Sequence, residues 1–143
     1  MSDLHHIRVE YLDERHFRAF NDQGLSLDLD GSDPAQNLKP MEILLAALGG
    51  CTGIDVVDIM RKKRAPLARY RIEVEGIRAI EHPRRFETIT VRHIGSGPDV
   101  TEAAFQRAVQ LSHERYCSVS ASLSAEVRAE IRLEPWRPAE AGE

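Results

Sequence analysis

The segment LLAALGGCTGIDVVDIM, residues 44–60, limits what this chain can fold into more than any other. Leu44, Ala47, Leu48, Cys51, Ile54 and Val57 recur at steps of three and four, the period of a helix with one apolar side, so Cys51 should face a core or an interface. The spacing predicts a helix from Pro40 to Lys63. Proline suits a first helical position, Pro66 lies just past the end, and the run Arg61-Lys62-Lys63-Arg64 sits where cations favour the helix dipole. Gly49 and Gly50 break this logic, because each weakens a helix interior by roughly 1 kcal/mol relative to alanine. Backbone left bare beside Cys51 implies that something must approach closely there.

The flanking sequence reads as strands. HIRVEYL, HFRAF and LSLDLD precede the long helix, with the turn signal Asn21-Asp22-Gln23-Gly24 before the last of them. YRIEVEGI and FETITVRHI follow it, separated by EHPRR. Asp99 and Glu102 form a candidate capping box for a second helix over residues 100–115, and AEVRAEIRLE is a final alternating strand. The order βββαββαβ predicts a single α+β domain over residues 1–136, with residues 137–143 a disordered tail. A chain of 143 residues, 42% hydrophobic, is long enough for one real core. A net charge of -4, with both signs mixed along the chain, argues against nucleic acid as a partner. No stretch reads as a membrane span and the N-terminus lacks a signal-peptide pattern, so no membrane partner and a cytoplasmic location are expected.

Cys51 and Cys117 are the chain's two cysteines. Their separation excludes a C-x-x-C motif and the paired spacing of zinc ribbons. Either they are two buried small hydrophobes, or the fold brings them together as a dithiol in which one attacks and the other resolves. A mid-helix position gives Cys51 little help from the helix dipole, so activation would need a neighbouring cation. Asp55, one turn beyond, would oppose it unless directed away. His113 and Cys117 share a helix face, but with Cys51 they make an incomplete ligand set, and no metal is expected.

The block KPMEILLAALGGCTGIDVVDIM followed by LSHERYCSVSASL resembles the OsmC/Ohr family, the osmotically inducible and organic hydroperoxide resistance proteins, in the branch carrying Gly-Gly-Cys. The resemblance covers nearly the whole chain. It implies an α+β fold of antiparallel sheets packed on two central helices, an intertwined homodimer, and a cofactor-free thiol peroxidase that reduces organic hydroperoxides in oxidative stress defence. It assigns attack on the O–O bond to Cys51, leaving a sulfenic acid and an alcohol, and assigns Cys117 to resolve that sulfenic acid as a disulfide. An external dithiol, lipoyl-type by resemblance, would then reduce the disulfide.

The assisting groups match less closely. Where the Ohr branch has a glutamate directly after the helix-opening proline, this chain has Met41, and the carboxylate comes at Glu42. The nine-residue step from Glu42 to Cys51 is about 13.5 Å along a helix and half a turn out of phase. Glu42 is therefore either a catalytic group acting across a dimer or a first-turn charge favourable to the dipole. Arg18 is the nearest match to the family's arginine, with Arg84 and Arg85 as rivals. The alternative to a peroxidase is a protein of the same fold that binds a small apolar ligand in the dimer cleft.

Overall fold

The computed structural model describes residues 3–138. The element order is β1 (Arg8–Asp13), β2 (His16–Phe20), β3 (Ser26–Asp30), α1 (Pro40–Lys62), β4 (Arg69–Arg78), β5 (Phe86–Ser96), α2 (Glu102–Leu111), a π-helical turn (Ser112–Tyr116), α3 (Ser118–Ala121) and β6 (Glu126–Leu133). The α+β class and the placing of the long helix agree with the sequence reading. Residues 139–143 of the expected tail lie outside the described residues.

The chain forms two compact units, one ending at Leu44 and the other beginning at Leu45. In the first, β1, β2 and β3 make an antiparallel meander. The side chain of Asn21 accepts hydrogen bonds from the amides of Gln23 (3.0 Å) and Leu25 (2.9 Å), which builds the turn between β2 and β3. The start of α1 is capped here too: Glu42 accepts the Lys39 amide at 2.9 Å, half of a capping box with Pro40 as first helical residue.

In the second unit β4 and β5 pair antiparallel, while β6 pairs with β5 in parallel. Sheets antiparallel throughout were expected. The parallel pairing follows from the long helical crossover through α2, which returns the chain to the same end of the sheet. The core joins Val56 and Met60 of α1 to Phe105, Ala108 and Val109 of α2. At its far end α1 closes with a Schellman motif, in which the Ala65 amide donates to Met60 (3.0 Å) and the Arg64 amide to Arg61 (3.0 Å). Arg64 takes the left-handed conformation that glycine usually fills, at φ 59°.

Two sequence expectations change. The buried face of α1 is Leu48, Gly49, Thr52, Gly53, Val56 and Met60, not the stripe through Ala47, Cys51 and Ile54. Small residues decide this: a Cβ on Gly49 would stand 3.0 Å from Val74, and one on Gly53 2.6 Å from Ile72, so α1 lies against β4 on its two glycines. Secondly, α1 is long and apolar enough to cross a membrane by length and composition, contrary to the reading that no stretch approaches a span; core helices of soluble proteins meet the same criterion.

Candidate active site

Cys51 sits mid-helix in α1 and is half-buried; Cys117, at the end of the π-helical turn, is 4% exposed. Both thiols are free, and Cys51 lies near enough to Cys117 to act on its ionisation. The fold thus brings together two cysteines that are remote in sequence. Burial pushes the Cys117 thiol up to about 11, the Ser120 amide donating to its sulfur at 3.3 Å pulls the other way, and Cys51 beside it raises it further.

The π-helical turn explains why Cys117 reaches this position. Phe105, Ala108, Val109 and Ser112 form the buried face of the second helical segment. In α-helical phase the next inward residue would be Tyr116, four on from Ser112. Instead the Cys117 amide donates to the Ser112 carbonyl at 2.9 Å, five residues back, and the extra residue carries the inward position to Cys117. Tyr116 is left 54% exposed. The second helix was expected to run unbroken over residues 100–115 from Asp99. It begins at Glu102, because Thr101 provides the cap by accepting the Ala104 amide at 3.1 Å.

Asp55 accepts a hydrogen bond from the Ser112 hydroxyl at Oδ2, 2.8 Å away. The same hydroxyl lies 3.3 Å from the Thr52 carbonyl. His113, considered from sequence as a partner for Cys117, instead has Nε2 2.9 Å from Nε2 of His93, and His93 Nδ1 shares a 2.5 Å hydrogen bond with the Tyr70 hydroxyl. Nδ1 of His113 is buried without a partner. Burial pushes His93 down to about 4, with the second imidazole adding to the effect, and lowers His113 against the opposing pull of Asp55. Burial likewise raises Tyr70. Among the described residues, no group of three or more His, Cys, Asp or Glu side chains is placed to hold a metal.

Of the remaining sequence candidates, Arg18, Glu42 and Arg84 have side-chain partners nearby, and Arg85 is placed by backbone hydrogen bonds to Ala79 and Pro83 in the same turn. Arg18 forms a two-pronged pair with Asp28 across β2 and β3, Nε to Oδ1 at 2.6 Å and Nη2 to Oδ2 at 3.1 Å. His16 Nε2 reaches the same carboxylate at 2.8 Å. The hydrogen bond from Arg18, followed by that from His16, holds Asp28 down at about 2. Glu42 engages the Lys39 amide, as described. Arg84 donates to the Ala79 carbonyl in the turn between β4 and β5. Sequence reasoning missed Ser112, His93 and Tyr70. His93 had a readable signal, since it shares the inward phase of β5 with Ile89 and Val91.

Two grooves flank this segment of α1. One, of about 490 Å³, runs between α1 and the second helical segment, with Ile59, Leu111 and Tyr116 against Asp55, Lys62 and Lys63. The other, of about 430 Å³, is mostly apolar, with Gly50, Ile54, Val57, Tyr70 and Ile72 in its lining beside Asp58.

Residues 31–132 match the family model described as OsmC-like protein. Over 120 residues the chain is 37% identical to protein YhfA of Escherichia coli strain K12, covering 84% of this chain and 90% of that one. A solved structure of a hypothetical protein from Aquifex aeolicus VF5 is 30% identical, with a TM-score of 0.85 over 95% of this chain and all of the other. The organic hydroperoxide resistance protein OhrB of Bacillus subtilis shares the fold at 17% identity and a TM-score of 0.60, covering 92% of this chain and 98% of its own. With the paired thiols on the long helix and on the segment after α2, and with a family match spanning both, this chain belongs to the OsmC-like family.

Proposed function

We propose that the protein is a cofactor-free thiol peroxidase that reduces organic hydroperoxides to alcohols. The observation that carries the reading is the proximity of a half-buried Cys51 to a buried Cys117 that lies 66 positions away in the chain. Cys51 is the accessible sulfur and takes the terminal oxygen of the hydroperoxide, leaving an alcohol and a sulfenic acid. Cys117 condenses with that sulfenic acid, forming the S–S bond and releasing water. A dithiol reductant then restores both thiols by exchange, attacking at Cys51, because Cys117 is closed off. The names of relatives such as OhrB point the same way.

The reading extends to a homodimer. Ile54 is 66% exposed, a Cβ on Gly50 would meet nothing within 4 Å, and the apolar groove lies on this face of α1. A second copy laid here would cover surface that a lone chain leaves wet. In that dimer Arg18 or Glu42 of one chain would serve the Cys51 of the other.

A second reading rests on Glu42. Its carboxylate is engaged at the start of α1, and Met41 stands where the Ohr branch has its glutamate. This favours a protein that binds a small apolar ligand in the same cleft and turns over peroxide slowly or not at all. Single-turnover assays separate the two. Cys51→Ser should abolish consumption of cumene hydroperoxide, whereas Cys117→Ser should retain one turnover per chain. No consumption by the unmodified protein supports ligand binding; equal bursts from both variants overturn the assignment of attack to Cys51.

A further inference from the structure

We infer that Ser112 and Asp55 are positioning residues that hold Cys117 against Cys51 for disulfide formation. The inference deepens the peroxidase reading and takes its catalytic meaning from it. Ser112 is fully buried, and three of its contacts go to Cys117 and to residues that follow Cys51 on α1. Its carbonyl accepts the Cys117 amide, the hydrogen bond that makes the turn π-helical and swings Cys117 inward. Its hydroxyl ties that turn to α1 at Thr52 and Asp55, the residue after Cys51 and the residue one turn beyond it. One side chain thus joins the backbone that sets Cys117 to the helix that carries Cys51. Behind it, the contact of His113 with His93 fastens the same turn to β5.

The chemistry needs this fixing. In the resolving step the Cys117 sulfur attacks the Cys51 sulfur, the S–O bond of the sulfenic acid breaks, and the hydroxyl leaves with the Cys117 proton as water. Nothing else is consumed, so the rate depends on how well the two sulfurs are held together. A π-helical turn is a rare choice of backbone, found mostly as a single turn within an α-helix. Ser112 supplies a tertiary contact at the point where the widening begins.

The test is the equilibrium of the reduced protein with glutathione and glutathione disulfide, in which two protein thiols become one disulfide while one glutathione disulfide becomes two glutathiones. It reports the effective concentration of one sulfur at the other and requires no peroxide chemistry. Inertness toward hydroperoxides would therefore count against the peroxidase reading and leave this measurement interpretable. Ser112→Ala should lower that effective concentration about tenfold, the worth of one hydrogen bond to a charged group. Asp55 is half-buried and can be changed without opening the core, so it gives an independent arm. Asp55→Ala should produce a loss of similar size, and Asp55→Asn, whose amide oxygen still accepts from Ser112, should restore most of it. An unchanged equilibrium in Ser112→Ala or in Asp55→Ala overturns the inference. Equal losses in Asp55→Ala and Asp55→Asn would assign the effect to the charge and overturn it as well.

Discussion

His93 is a buried residue through which solution pH acts on the fold. It is fully buried between Tyr70 and His113, and burial holds it near 4, against 6.5 for a free imidazole. Two Nε2 atoms 2.9 Å apart can share a hydrogen bond only when one carries a proton and the other does not. The folded state therefore binds fewer protons than the unfolded state between pH 6.5 and 4. The contribution is intact above pH 6.5 and is lost as pH falls to 4, a change of about 3 kcal/mol. Urea denaturation at pH 7 and at pH 4.5 should show this drop in the unmodified protein and a smaller one in His93→Gln. An identical pH dependence in the two would contradict it.

At the scale of elements, the glycines of α1 have different duties although they look alike in sequence. Gly49 and Gly53 seat the helix on Val74 and Ile72, while Gly50 points into open space. Gly50→Ala should then stabilise the isolated chain by about 1 kcal/mol, the helix-propensity difference. In β4, a Cβ on Gly76 would stand 2.6 Å from the Phe86 ring, so Gly76→Ala should destabilise by about 1–3 kcal/mol, the cost of overpacking a core. Thermal unfolding of both variants checks the pair of signs. If Gly50→Ala stabilises the chain but weakens its self-association, a second copy crosses at Gly50.

The boundaries of α1, β4, β5 and β6 were legible because period and punctuation agree there: Pro40 and the basic run bound a helix, and alternation marks the strands. The buried face of α1 was not, because hydropathy ranks Ile54 above Gly53, whereas close approach to β4 needs the smaller residue. The π-helical turn left no local mark either; LSHERY reads as one more α-helical turn, and the hydrogen bond that widens it depends on Ser112 meeting α1. Both cysteines could be named from sequence, but their contact depends on that turn. Tyr70 shares the inward phase of β4 with Ile72 and Val74, and Ser112 follows Phe105, Ala108 and Val109 at helical spacing, so their sides were legible; their polar partners were not, because those come from other elements.

Across the whole molecule, an accessible sulfur shares α1 with a mostly apolar groove and a mixed one, and a closed sulfur lies near it. Surfaces lined by Ile54, Val57 and Ile72, or by Ile59 and Leu111, favour an alkyl or aryl tail, and each buried methylene is worth about 0.8 kcal/mol. Cumene hydroperoxide should therefore react faster than hydrogen peroxide; equal rate constants would remove the grooves from the account. Whether Cys51 and Cys117 form one redox unit driven by organic hydroperoxide is decided by intact mass spectrometry. The reduced protein is mixed with one equivalent of cumene hydroperoxide, quenched with a thiol-alkylating reagent and weighed. A redox pair should lose two hydrogens per chain and take up no alkyl group at either cysteine. A chain that keeps its mass and takes up two alkyl groups would contradict it.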